Sequence, residues 1–194
     1  TAPVSAVLYR CEATEVNIPY HYDDGNVHMN HVMRLKKLDQ YNPSFLPFEK
    51  LKAYGIDTVE HCYPGDDEAL ITEKIAEYKA KDVDMILCTG GMSVDPDDRT
   101  PGAIKRSGAQ IVTYGAPVLP GAMFLLAYAE NGTPIVGLPG CVMYSKRTIF
   151  DLVLPRLIAD DEVTAEELAG LGEGGLCLNC KVCTFPNCGF GKGR

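Results

Sequence analysis

Thr89-Gly90-Gly91-Met92-Ser93 follows a short apolar run and combines two glycines with two hydroxyl side chains. Glycines let backbone N–H groups approach an anion closely and hydroxyls add donors, so this turn is equipped to cradle a phosphate. Asp95, Asp97 and Asp98 stand immediately downstream. Carboxylates repel phosphate, so their place beside such a cradle makes chemical sense if a divalent cation such as Mg²⁺ bridges the two. The same Asp-Pro-Asp-Asp stretch also suits a solvated turn with a helix cap at Asp98 or Thr100. Asp66 and Asp67 carry the same ambiguity, since they can face a ligand crevice or cap a helix.

A second chemical group is the tail, where Cys177, Cys180, Cys183 and Cys188 form a C-x2-C-x2-C-x4-C pattern. One tetrahedral Zn²⁺ or one iron–sulfur cluster can collect four thiolates at that spacing. Two disulfides or free thiols are the alternative, although adjacent x2 pairs bridge each other poorly. The tail has few apolar residues beyond Leu176, Leu178, Val182, Phe185 and Phe190. Metal ligation is therefore expected to supply much of its folding energy. Cys88 and Cys141 read as small packed residues. His21, His28 and His31, with Asp23 and Asp24, read as a polar surface loop rather than a metal site.

Helices and strands must position these groups. Phe48 to Tyr54 reads as a helix stopped by Gly55, followed by a strand over Ile56 to Cys62. Asp66-Asp67-Glu68 opens a helix that runs to about Lys81, with Leu70, Ile71, Ile75 and Tyr78 on one face. Val83 to Cys88 reads as a buried strand, Thr100 to Ser107 as a short helix and Gln110 to Tyr114 as a strand. The pattern then predicts an apolar helix over Ala122 to Glu130, a strand over Thr133 to Leu138, and a long helix from about Val142 to Ala159 kinked or divided by Pro155. Val4 to Cys11 suggests a strand, and Tyr20 to Asn42 a long loop or insertion with no assigned fold.

This alternation predicts an α/β fold with a mostly parallel central sheet and helices on its faces. The expected domains are residues 1–160, an acidic and glycine-rich linker over 161–175 with a hinge at Gly170 to Gly175, and the Cys-rich tail over 176–194. In such a sheet the crevice beyond the carboxyl ends of the strands is the default ligand site. Thr89-Gly90-Gly91 marks one strand end and Gly137-Leu138-Pro139-Gly140 another.

The 194 residues suffice for one main core and an appendage, and 46% hydrophobic with 23% charged residues is a globular balance. A net charge of -8 with no basic run argues against nucleic acid or an anionic membrane surface as partner. No apolar run is long enough to cross a bilayer. Cysteines crowded into one segment, with no visible signal peptide, point to metal binding in a cytoplasmic protein. Because residue 1 is Thr, the chain is expected to be a fragment or a processed product.

The order Asp66-Asp67, then Thr89-Gly90-Gly91-Met92-Ser93-Val94-Asp95-Pro96-Asp97-Asp98, then Pro120-Gly121, then Gly137-Leu138-Pro139-Gly140 resembles the molybdopterin-binding domain of molybdenum-cofactor biosynthesis proteins. The resemblance covers roughly Phe45 to Ala159. It implies a three-layer α/β sandwich, molybdopterin as ligand or substrate, and either adenylyl transfer from Mg-ATP or metal insertion as activity. It further implies that Thr89, Gly90, Gly91, Ser93 and Asp95 line the phosphate or pterin pocket together with Pro120 and Gly121. Asp98 would orient Mg²⁺ or the metal donor, Asp66 or Asp67 would complete the acidic site, and Gly137, Pro139 and Gly140 would shape the opposite wall. Met92-Ser93-Val94 sits closer to the insertase branch of the family, whereas Cys141 stands where that branch carries Asn. A non-catalytic module that binds or senses molybdopterin, with a metal-binding tail, and an unrelated phosphate-binding α/β enzyme remain alternatives. Relatives of the domain are often homo-oligomers.

Overall fold

The computed structural model describes residues 9–23, 28–40, 46–92, 95 and 98–192. The chain divides into two units, one spanning Ala6–Ser44 and the other holding the chain from Phe45 onward. In the first, β1 (Tyr9–Asp23) pairs antiparallel with β2 (His28–Gln40), from Tyr9 opposite Gln40 to Asp23 opposite His28. Much of the segment expected as a loop over Tyr20 to Asn42 is thus strand. Its ladder slips register at several points and β1 contains Pro19, which obscures the two-residue alternation by which strands are read.

The second unit begins with α1 (Leu46–Lys52). The strand expected over Ile56 to Cys62 does not form. Asp57 to His61 are all exposed, and a run with no buried face has nothing to pack on a sheet. Next comes α2 (Glu68–Ala80), whose Ile71 and Ile75 are buried as its periodicity predicts, while Leu70 is exposed. Then follow β3 (Ile86–Thr89), α3 (Thr100–Arg106), β4 (Gln110–Tyr114), β5 (Leu125–Tyr128) and β6 (Pro134–Leu138).

The apolar helix expected over Ala122 to Glu130 is therefore a correction: its centre is β5. Leu125, Leu126 and Ala127 are fully buried in a central strand, and a short apolar run bounded by Pro-Gly and Asn-Gly fits strand and helix equally well in sequence. This strand also changes the sheet. The four strands lie in the order β3-β6-β5-β4, with β3 parallel to β6 but β5 antiparallel to both neighbours. The architecture is α/β as expected, while the sheet is mixed and not mostly parallel.

Successive strand residues point to opposite faces and enter two apolar clusters. Leu125, Ala127 and Ile135 join Ile71 and Ile75 of α2 and Ala103 and Ile104 of α3. Leu126, Val136 and Leu138 join Leu51 of α1 and a later helix, α4 (Ile149–Ile158). The long helix expected from Val142 is divided, but not at Pro155, which lies inside α4. A short 3₁₀ turn covers Gly140–Met143, and α4 starts afresh at the Thr148 cap, where Thr148 and Asp151 form a reciprocal capping box. The acidic segment that follows holds α5 (Ala165–Gly170), capped the same way by Thr164 and Glu167.

Candidate functional site

Thr89 at the end of β3 lies opposite Leu138 at the end of β6 in the parallel ladder. The two glycine-rich turns thus leave adjacent strands side by side at one edge of the sheet. Met92 is buried between them: a Cβ on Gly137 would come 2.5 Å from Met92 Cε and 2.8 Å from its Sδ, so the missing side chain of β6 makes room for the turn from β3. Gly90 and Gly91 have φ of +84° and +57°, a backbone that L side chains rarely adopt. Thr100 Oγ1 donates to the Gly90 carbonyl at 2.8 Å and closes this turn on the start of α3.

Antiparallel pairing brings two further strand ends to the same edge. Leu125, at the start of β5, lies opposite Gly137, and Tyr114, at the end of β4, lies opposite Leu125. Pro120-Gly121 belongs to the connection between them. It is pinned to α4, since the Pro120 carbonyl accepts from Ile149 N at 3.1 Å and a Cβ on Gly121 would come 2.6 Å from Ile149 Cγ2.

The acidic residues separate into two kinds. Asp98 is half-buried, and its charge adds to burial in pushing the Tyr114 phenol up, so Asp98 approaches the β4 end of the same edge. Asp95 is exposed, and its carbonyl accepts from Asp98 N at 3.0 Å. Ser93 and Asp97 lie outside the described residues. Asp67 caps α2, accepting from Ala69 N at 2.8 Å and Leu70 N at 3.1 Å, while Asp66 is exposed in the preceding turn. Glu68, next along, reaches Arg106 of α3 at 3.0 Å. Among the described residues, no three His, Cys, Asp or Glu side chains form a group able to hold a metal ion.

A family model described as a probable molybdopterin binding domain matches residues 44–159, more than half of the chain. The chain belongs to the molybdopterin-binding domain family. Membership carries molybdopterin as ligand and a role in molybdenum-cofactor biosynthesis. No curated protein matches the chain. The match contains every turn and carboxylate just described and ends before the Cys-rich tail. No helix among the described residues is long and apolar enough to cross a membrane.

Gly91 packs closely on the start of α3, where an added Cβ would come 2.9 Å from Thr100 Oγ1, whereas a Cβ built on Gly140 would meet nothing within 4 Å, so the opposing turn borders open space. Beneath that second turn lies a charge cluster that sequence reasoning missed. Asp151 accepts from Lys50 Nζ at 2.5 Å, Arg147 Nη1 at 2.9 Å and Thr148 N at 2.7 Å. Burial holds Lys50 below the usual lysine range even though Asp151 favours its charge. The Lys50 charge also reaches Cys141, whose thiol burial pushes up. Thr148-x-x-Asp151 is a legible capping signal, whereas nothing in the sequence ties Lys50 to a residue 101 positions away.

The tail returns to the body. Leu119 N donates to Gly175 O at 2.6 Å and Cys177 N donates to Leu119 O at 2.8 Å. The expected hinge is therefore docked, and Gly175 is buried. Cys177, Cys180, Cys183 and Cys188 all line one cavity of about 100 Å³ beside Lys146 and Arg147.

Proposed function

We propose that the edge formed by the ends of β3 and β6 binds molybdopterin through its phosphate and that Mg²⁺-assisted phosphoryl chemistry takes place there. The observation that carries this reading is the pairing of Thr89 with Leu138, which sets the Thr89-Gly90-Gly91 and Pro139-Gly140 turns side by side. Backbone N–H groups of the first turn would hold the phosphate, with the Thr89 and Ser93 hydroxyls as further donors and Asp95 flanking them. Gly137, Pro139 and Gly140 would form the facing wall, and Pro120 and Gly121 its end. Asp98 would place Mg²⁺ between phosphate and protein, and Asp66 would add negative charge on the α2 side. Asp67 already has a structural task as the α2 cap, which weakens its catalytic assignment.

This equipment suits in-line transfer, which asks a protein mainly for positioning and charge neutralisation. In adenylyl transfer, the pterin phosphate oxygen attacks the α-phosphorus of ATP and pyrophosphate leaves. In metal insertion, water cleaves the resulting anhydride and AMP leaves.

Titration with molybdopterin, followed by pterin fluorescence, tests the pocket. Because a Cβ at position 140 meets nothing in the protein, Gly140→Ala should fold normally and weaken binding about tenfold, near 1.4 kcal/mol. Unchanged affinity would place the ligand elsewhere. Asp98→Asn should abolish Mg-ATP-dependent pyrophosphate release, or molybdate-dependent AMP release, while sparing pterin affinity. Unchanged turnover would remove Asp98 from the mechanism, and pterin binding without turnover in the parent protein would establish a binding module.

A further inference from the structure

We propose that Cys177, Cys180, Cys183 and Cys188 form a four-thiolate centre for one thiophilic metal group, Zn²⁺ or an iron–sulfur cluster, in the cavity that they line against Arg147. This site lies beyond the family match and does not depend on the pterin reading.

Four observations carry it. All four thiols are free and border the same cavity, whereas Cys62, Cys88 and Cys141, also free, do not line it. The outer pair is anchored, because Cys177 and Cys188 pack against the core of the α/β unit and Cys177 N donates to Leu119 O. The inner pair is carried by a segment with little core of its own: Leu178 and Val182 are 75% and 78% exposed, while Phe185 packs against the core. Bound metal is the usual source of order in so small a cysteine-rich segment.

The fourth observation concerns charge and hydrogen bonding. Arg147 lines the cavity and stacks its guanidinium 4.7 Å from the Phe185 ring centre. Its Nε is nevertheless buried with no hydrogen-bond partner. Buried donors rarely go unmatched, and thiolate or inorganic sulfide beside Arg147 would supply the acceptor. Arg147 and Lys146 would also offset the negative charge that four thiolates bring to either metal group. Side chains must turn to reach ligating positions, since the thiols share the cavity without converging on one point. Each ligating thiol releases its proton to solvent as the sulfur–metal bond forms.

The test is metal and sulfide analysis of the full chain purified without air. Zinc at about one per chain with no visible absorption identifies a tetrahedral zinc site. Iron and acid-labile sulfide at about four each, with visible charge-transfer absorption, identify a cluster. Either result is expected to fall at least tenfold in Cys180→Ser and Cys183→Ser and to persist in Cys62→Ser and Cys88→Ser. Arg147→Gln should keep the stoichiometry but release metal faster to a chelator. The proposal is overturned if the purified chain holds no metal and the reduced protein takes up neither Zn²⁺ nor Co²⁺. It is also overturned if the two tail serine variants retain the parent's metal. Because the serine changes lie outside the pterin edge, unaltered pterin titration in the same variants keeps the two readings separable.

Discussion

Asp151 gathers donors from three residues, Lys50, Arg147 and Thr148, inside the protein, and the consequences of removing it can be set against those of removing its partner. Lys50 and Asp151 have side chains only 8% and 4% exposed. Truncating one member of a buried pair leaves the other charge uncompensated, which costs about 3–5 kcal/mol. Asp151→Ala should approach that loss in urea unfolding, since it strands Lys50 and also removes the reciprocal half of the α4 cap. Lys50→Met should cost clearly less, because Asp151 keeps Arg147 and Thr148 N. Equal losses would mean that the cap and the Arg147 bond carry little. A second residue-scale prediction concerns Cys88, whose thiol burial pushes up to about 12. It should resist alkylation at pH 8 in the folded chain, while the exposed Cys180 of metal-free protein reacts. At this scale the sequence revealed the glycines and the carboxylates, because their chemistry follows from residue type. It did not reveal Lys50, whose role depends on a neighbour that only the fold provides.

At the scale of elements, legibility depended on whether each segment carried a signal of its own. The α2 helix did, through its Asp67 cap and its buried Ile71 and Ile75, and so did β6, which runs straight into Pro139-Gly140. The β5 strand did not, because residues buried on both faces show no alternation and read as helix or strand alike. That one ambiguity also hid the mixed sheet, and with it the reason why Pro120-Gly121 reaches the same edge as the other two turns. The turn offers its own test. Gly121 has φ of +120°, and its Cα faces Ile149 at the start of α4. Gly121→Ala should combine backbone strain with overpacking and lose about 2–4 kcal/mol in denaturant unfolding. Ile149→Val, which keeps the branched Cβ, should recover little of it, whereas Ile149→Ala should recover part, a non-additivity expected of residues in contact. Full recovery by either would assign the whole cost to packing and none to φ.

At the scale of the whole molecule, the family match and the packing draw different boundaries at the C-terminal end. The match stops at residue 159, yet Val163 and Leu168 are buried in the main core and Phe190, almost at the end of the tail, is only 4% exposed. The linker and hinge expected from an acidic, glycine-rich composition are instead docked, with Gly191 N donating to Gly174 O at 2.8 Å. Composition reports flexibility only where nothing packs on the chain, and here small residues permit close approach. Two sources of order therefore act on the tail: burial at Phe190 and the proposed thiolate centre. They can be told apart in the presence of a chelator. Phe190→Ala should then still destabilise the α/β unit by about 3–5 kcal/mol, because it vacates a core position shared with Val153 and Leu154 of α4. Val182→Ala, at an exposed position, should stay within about 0.5 kcal/mol of the parent. If Phe190→Ala matters only when metal is bound, the tail docks as a consequence of metal binding. If it matters in both conditions, the tail is part of the core from the start, and metal binding orders only the loop from Leu178 to Asn187.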